Sequence, residues 1–320
     1  MATTVLGLKT FAASDPVDYN EINDNYNKID NGVKTAMQGR AAYNLLDNSD
    51  FANPVNQRGR SGTYEGVSNY TTFVIDRWKT WSTGCTYTLS SAGLQIANLN
   101  ASSSNGPWEV LPNPERMKGK TYTLAVWYNG GNVACGNVAV PTGTLTEDKY
   151  LSAVSASGTR PGLRFIIAST YSSIDFQIMI SAGQTVTVEW AALYEGAYTA
   201  DTLPSYQPKG YAAELAECQR YYQTIPALTH IPGITNTSVS FGAKYKIPTM
   251  RIAPTVSIAS GQEVSIYTGE YSASTTNYTM QCATMPNQMI LNLSLGAGSF
   301  VAYKPGMLTF PVEIALSADL

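Results

Sequence analysis

The groups best equipped for chemistry in this sequence are crowded into Asn44–Gly59, NLLDNSDFANPVNQRG, followed by DRWKTW at Asp76. Asp47, Asn48 and Asp50, with the backbone carbonyls beside them, are oxygen donors of the kind a hard cation such as Ca²⁺ draws from loops, although their spacing is not that of an EF-hand. The same residues equally describe an Asx-turn feeding the first strand of a sandwich. Asp47, Asp50, Asp76, Glu109, Glu189 and Glu195 are also candidates for the paired carboxylates of a glycosidase, which need only lie about 5 to 9.5 Å apart. Nothing in the spacing makes any two of them converge, and in a weakly charged chain most acids solvate or cap. We therefore expect no metal centre, no cofactor and no catalytic residue.

Other reaction types lack their parts. His230 is the only histidine and sits in ALTHIPGI, where a hydrogen-bonded loop or interface role fits better than general-base work. The sequence has no GxSxG elbow, HExxH pair, Walker loop or GxGxxG turn. Cys85, Cys135, Cys218 and Cys282 show no CxxC spacing and read as free thiols. The aromatic residues carry a sharper reading. A neutral sugar has no charge to grip, so proteins lay its apolar face on Trp or Tyr rings and fix its hydroxyls with Asn, Asp, Gln or Arg. Trp78, Trp81, Trp108, Trp127 and Trp190 all fall in the middle of the chain, beside Asp76, Arg77 and Asn129. Trp190 shares a strand face with Val186 and Val188 and is expected in the core. Trp127 lies opposite the Leu124 and Val126 face and is the ring expected at the surface, with Trp108 next. The candidate carbohydrate-binding residues are thus Trp108, Trp127 and Trp81, with Asn129 and Arg77.

The elements that must position these residues are written in composition and periodicity. Charged residues make up 13% of the chain, about half the roughly 25% of ordinary soluble proteins, so solubility rests on Ser, Thr, Asn, Gln and Tyr. Tyrosine outnumbers phenylalanine 21 to 8, which suits aromatic surface held half in water at subunit or ligand interfaces. A net charge of −3 offers no handle on polyanions, so neither nucleic acid nor an anionic membrane is an expected partner. MATTVLGLKTF lacks the basic start and apolar core of a secretory signal, and no segment approaches about 18 continuous apolar residues. A protein made in a cytoplasm and remaining soluble is the expectation.

Asp15-Pro16 supplies an N-cap and a proline at the first helical position, with Asp18 and Glu21 in the first turn. Tyr19, Ile22, Tyr26, Ile29 and Val33 then form an a/d seam of about two heptads. A lone helix of that length carrying Gly32 is marginal in water, so the seam calls for partner helices, most simply copies of itself; docking on the chain's own domain is the alternative. From Tyr43 to about residue 200 the period becomes two, as in TYTLAVWY (121–128) and TVTVEWAALY (185–194). Turns such as Asn129-Gly130-Gly131 separate roughly eight short antiparallel strands of a jelly-roll sandwich. LPSYQPKGYAAELAECQRYYQ reads as a hinge and a short helix with Tyr211, Leu215, Cys218 and Tyr222 on one face. Strands resume from about Ile231 and end in LTFPVEIAL, one strand on which Leu308, Phe310, Val312, Ile314 and Leu316 share a face and Pro311 marks an edge. The expected fold is mostly β: an arm and helix (1–42), a jelly-roll β-sandwich (43–200), a hinge and short helix (201–226) and a smaller C-terminal β-sandwich (227–320). No repeat of 20 to 50 residues is visible, which disfavours a propeller, a solenoid or a β-helical depolymerase.

NLLDNSDFANPVNQRG, IDRW (75–78), EWAALYEG (189–196), LPSYQPKGYAAELAECQRYYQ and MRIAPTVSI (250–258), in this order, resemble tail-fibre or receptor-binding proteins of bacteriophages and prophages. DPVDYNEINDNYNKIDNGVK is similar to the virion-attachment arms of phage fibres, and the asparagine-rich opening strand resembles galactose-binding-like jelly rolls of carbohydrate-binding modules. The resemblance implies a homotrimeric virion protein. Its N-terminal part would dock on tail, baseplate or head proteins, its seam residues Tyr19, Ile22, Tyr26, Ile29 and Val33 would trimerise, and a β domain would meet a host cell-surface glycan. A purely structural virion decoration and, third, a polysaccharide depolymerase are the other readings. The motifs shared with that family are scaffold motifs, so Leu45, Leu46 and Phe51 are expected to seat the first strand while the Asn and Asp residues around them cap its turns.

Overall fold

The computed structural model describes residues 18–38, 42–65, 72–80, 83–112, 116–117, 120–130, 133–139, 142–144, 151–153, 162–167, 173–199, 202–237, 239–258, 262–269, 272–295 and 303–318. Asp15, Pro16 and Trp81 lie outside this set, as does the side chain of Cys135. The chain forms two compact units. One comprises Met1–Pro54, Ser61–Val74 and Trp78–Lys209, the other Val55–Arg60, Ile75–Arg77 and Gly210–Leu320. Among the described residues no helix is long and apolar enough to cross a membrane.

The N-terminal helix spans Tyr19–Gln38. Its cap is Asp18 rather than the expected Asp15: the Asp18 carboxylate accepts from Asn20 N at 2.9 Å and its carbonyl from Ile22 N at 3.1 Å. Those bonds satisfy two of the donors that a helix start leaves open. Lys28 and Asp24 pair one turn apart at 2.6 Å. The a/d positions carry the expected residues, and four of them are open to solvent: Tyr19 at 76%, Tyr26 at 67%, Ile29 at 40% and Val33 at 51%.

The first unit contains two antiparallel sheets. The larger has seven strands, ordered Thr63–Glu65, Cys85–Ser90, Gly93–Asn98, Thr185–Glu195, Thr121–Gly130 and Val133–Ala139, with Thr142–Thr144 also on Thr121–Gly130. The smaller has six, ordered Leu151–Ala153, Gly162–Ile167, Ser173–Met179, Trp108–Pro112, Trp78–Lys79 and Phe73–Ile75. That is a sandwich of more and shorter strands than the period-two runs suggested. Register aligns Leu124 with Leu193, Val126 with Ala191, Tyr128 with Val188, Leu94 with Val188 and Ile96 with Val186. These paired residues share one face and are all buried, as alternation across a half-buried sheet requires.

The strand Thr185–Glu195 is interrupted once, by a register shift between Val188 and Trp190. Glu189 is the extra residue of a β-bulge, and because side chains alternate with period two, one extra residue turns everything after it onto the other face. Ala191 and Leu193 continue the inner face that Val186 and Val188 began, and Trp190, Ala192 and Tyr194 go outward. The expectation that Trp190 shares the face of Val186 and Val188 is corrected accordingly. The outer face is covered in part by the chain that follows. Leu203, Tyr198 and Tyr206 fold back over Ala125, Ala192 and Tyr194, and Tyr198 N donates to Thr123 Oγ1 at 2.9 Å.

The second unit opens with the helix Tyr211–Gln219, whose buried residues are Glu214 and Cys218. Tyr211, expected on the buried face, is 50% exposed, and Tyr222 is already in the strand Tyr222–Ile225. That strand pairs with Ile314–Ser317, which also pairs Thr255–Ser257. The other sheet has seven strands, ordered Ser272–Thr275, Val264–Tyr267, Pro305–Thr309, His230–Thr235, Ser240–Lys246, Gln288–Leu295 and Tyr278–Met285. The C-terminal apolar run is therefore two strands, not one: Leu308 belongs to the larger sheet, Ile314 and Leu316 to the smaller. Pro311, lacking an N–H, sits exposed in the bend between them.

The edge strands of the larger sheet, Ser272–Thr275 and Tyr278–Met285, are joined by Thr276 and Asn277 alone. Three Cα steps reach about 11 Å at most, so the sheet curls until its two edges approach each other. Inside the curl Ile231, Phe241, Ala243, Leu291, Leu293 and Leu308 share a core with Ile225, Ile314 and Leu316 of the smaller sheet. The outward positions of the same strands carry polar and small residues together with Ile234, Ile290 and Met307.

Candidate functional site

The opening motif is a hydrogen-bonded bracket in the first unit. Asn44, buried, accepts from Leu193 N at 2.9 Å and Leu46 N at 3.1 Å. Its amide donates to Ser49 Oγ at 2.8 Å and Ala191 O at 3.2 Å. Leu45 N bonds Leu193 O, Ala191 N bonds Ser49 O and Phe51 N bonds Glu189 O, so residues 44–51 run as an irregular strand beside Thr185–Glu195. Trp78 Nε1 donates to the carbonyls of Asp47 and Asn48, both at 3.1 Å, and the Trp78 ring meets Phe51 edge-on at 5.0 Å. Lys209 Nζ holds Leu46 O and the Asp47 carboxylate, each at 3.0 Å. The residues that could have ringed Ca²⁺ are thus divided: Asp47 is engaged by an ammonium group, Asn48 turns the chain at φ 51°, and Asp50 is directed elsewhere. Among the described residues no three His, Cys, Asp or Glu side chains converge on one point.

Asp50 forms an isolated bridge with Trp190, and Trp190 is the register partner of Trp127. The bulge therefore does more than turn Trp190 outward: it aligns Asp50, Trp190 and Trp127 in one row across the outer face. The Trp127 and Trp190 rings are stacked, 6.1 Å apart at 11°. Tyr206, between Pro204 and Pro208, lies on Trp190 at 4.4 Å and 1°. All three rings are half-buried, and Asn129, one step along the same face opposite Thr187, is exposed. Trp190 is already covered by Tyr206, so Trp127 is the ring of this set placed to receive the C–H face of a pyranose while the polar groups take its hydroxyls.

Of the sequence candidates, the structure brings Trp127 and Asn129 together on this face. Trp108 is 4% exposed rather than the second surface ring, with its indole N–H given to Thr80 O at 2.8 Å. Arg77, expected to reach sugar hydroxyls, is 3% exposed in the second unit, at φ 73°, with its guanidinium 3.6 Å from the centre of the Tyr221 ring. Arg58 stacks likewise on Tyr222 at 3.8 Å and reaches the buried Asp76 carboxylate at 3.2 Å, with Gln57 N donating to the same carboxylate. The IDRW motif is structural. Trp81 lies outside the described residues. The sequence does not single out Tyr206, places Trp190 in the core, and offers Asp50 only as a cation ligand or catalytic acid. The Pro204 and Pro208 pair signals a stiff extended segment for Tyr206, but no residue type announces the bulge that reorients Trp190.

Two more of the candidate acids have partners in the protein. Glu109 is buried and accepts from Asp47 N at 3.3 Å, and Glu195 pairs with Lys120 at 2.9 Å. Burial pushes the Cys85 thiol up to about 11, against a smaller lowering by Tyr87. Burial, with Tyr198 adding to it, pushes the Tyr194 phenol up to about 12. Both stay protonated at neutral pH and make poor nucleophiles. His230 is exposed, in a strand rather than a loop, with Nδ1 2.8 Å from Thr309 Oγ1.

No protein-family model matches the chain, and no curated protein matches it. Among solved structures it is similar to the N-terminal CBM22-1–CBM22-2 tandem domain of Xyn10C from Paenibacillus barcinonensis, at 7% sequence identity over 88% of this chain and 99% of that one. The TM-score of 0.22 is too low for the two folds to superpose.

Proposed function

We propose that the chain is a homotrimeric fibre or receptor-binding protein of a bacteriophage virion, which attaches the particle to host cell-surface carbohydrate without cleaving it. The observation that carries the binding half is the outer-face row of Trp127 and Trp190, stacked and half-open, between Asp50 and Asn129. The uncovered a/d seam of Tyr19–Gln38 supports assembly with other copies, and the order of the five motifs supports a virion setting. The N-terminal part contacts other virion proteins, while three copies present three shallow sugar sites at once. Sites of about millimolar affinity then hold a cell surface by avidity.

The test is a glycan array of bacterial surface polysaccharides probed with the labelled full-length protein. Retention on at least one glycan is expected, with a loss of at least about tenfold in Trp127→Ala, the usual scale for an aromatic anchor. Silence on every glycan would leave the structural virion decoration as the better reading, and retention indifferent to Trp127→Ala would move the binding away from this row. Release of reducing sugar from a retained glycan would turn it into a depolymerase.

A further inference from the structure

We infer that the outside of the curled sheet in the second unit holds another binding site, for a saccharide carrying a carboxylate. A groove of about 450 Å³ crosses the strands His230–Thr235, Ser240–Lys246 and Gln288–Leu295, within the roughly 300 to 1,000 Å³ of small-ligand sites. Its floor is Gly242, the register partner of Ile234 on one side and Asn292 on the other. A Cβ at Gly242 would stand 2.8 Å from Asn236 Nδ2 and 3.3 Å from Asn292 Oδ1. The two carboxamides lean over the space that Gly242 leaves open, and together they offer donors and acceptors to neighbouring hydroxyls. Ile234 and Ile290 supply aliphatic contact for the C–H face of a ring.

The third polar group selects the ligand. Lys244, exposed and paired across from Ile290, is the only charged residue in the lining among the described residues, and Lys246 follows on the same outward side of the strand. The lining residues include no acid to neutralise the ammonium, so a ligand that brings its own carboxylate gains a charge-assisted hydrogen bond that a neutral sugar lacks. They include no aromatic ring either, and the site does not depend on the Trp127 row.

The experiment compares methyl β-D-glucuronide with methyl β-D-glucoside, which share a ring and differ at C6, by saturation-transfer difference NMR. It uses the full-length Trp127→Ala protein, so that the row on the first unit does not contribute. Saturable transfer to the glucuronide is expected, with the glucoside roughly tenfold weaker. Lys244→Ala should erase that preference and Asn292→Ala should weaken both ligands; both side chains are exposed, and an unchanged melting temperature shows that each variant folds. No transfer to the glucuronide, equal transfer to the two sugars, or a preference that survives Lys244→Ala would overturn the site. Failure of the Trp127 row would show independently, as array retention unaffected by Trp127→Ala.

Discussion

The carboxamide of Asn44 does the work of a strand residue: it accepts from Leu193 N and donates to Ala191 O, backbone groups of a strand buried on both faces. An alanine there would leave both without partners and without water. Each stranded buried group costs about 1 to 3 kcal/mol, so Asn44→Ala is expected to lower unfolding stability by about 2 to 4 kcal/mol. Urea unfolding of the first unit measures it, and a loss below about 1 kcal/mol would show that the bracket is ornamental. The polar residues of NLLDNSDF are thus explained by the geometry of an irregular strand. That reading was available from the sequence, because Asx chemistry is local. The burial of Trp108 was not. Its neighbours Glu109 and Val110 are buried as well, so both faces of that strand are covered, and alternation cannot distinguish in from out when neither side meets water.

At the level of elements, local signals survived and non-local ones did not. The helix from Tyr19 and the strands around Leu124 and Val186 follow from periods of 3.5 and two, which a single segment carries by itself. The bulge at Glu189 depends on what pairs with the strand, as does the division of the final run into two sheets, so neither is visible in one segment's pattern. Gly93 shows such a non-local constraint at one position. It begins the strand Gly93–Asn98 at φ 121°, and a Cβ there would sit 2.2 Å from Val188 O. The hairpin Cys85–Ser90/Gly93–Asn98 lies against Thr185–Glu195 only because nothing projects at that point. Gly93→Ala combines a backbone conformation unfavourable to L residues with a clash against a carbonyl, and is expected to cost about 2 to 4 kcal/mol. The measurement is again urea unfolding, with Gly183→Ala as a comparison. Gly183 is also at positive φ, 69°, but has open space around it, so only the backbone penalty of about 1 kcal/mol should remain. Equal losses at the two positions would mean that the close approach to Val188 contributes nothing.

For the whole molecule the question is what covers the N-terminal seam. Tyr19, Tyr26, Ile29 and Val33 are between 40% and 76% exposed in the single chain, on a 20-residue helix with Gly32 inside it. An isolated helix of that kind is marginal in water, and one whose heptad seam meets other copies is not. Ile22→Asp with Ile29→Asp places two charges in the seam and leaves the residues of the Trp127 row unchanged. Light scattering at micromolar concentration should then fall from three times 34.5 kDa to 34.5 kDa. A wild-type mass of 34.5 kDa, or a mass unaffected by the double substitution, would show that the seam has another occupant. The consequence for binding separates pooling from chemistry. In the dissociated variant each proposed sugar site keeps its own rings and polar groups, so transfer to a monovalent sugar in solution should be unchanged. Retention on a dense glycan surface should fall by about a hundredfold or more, since a second attachment is worth its effective concentration and nothing else. Loss of both together would place the helix within the sugar site itself rather than in assembly.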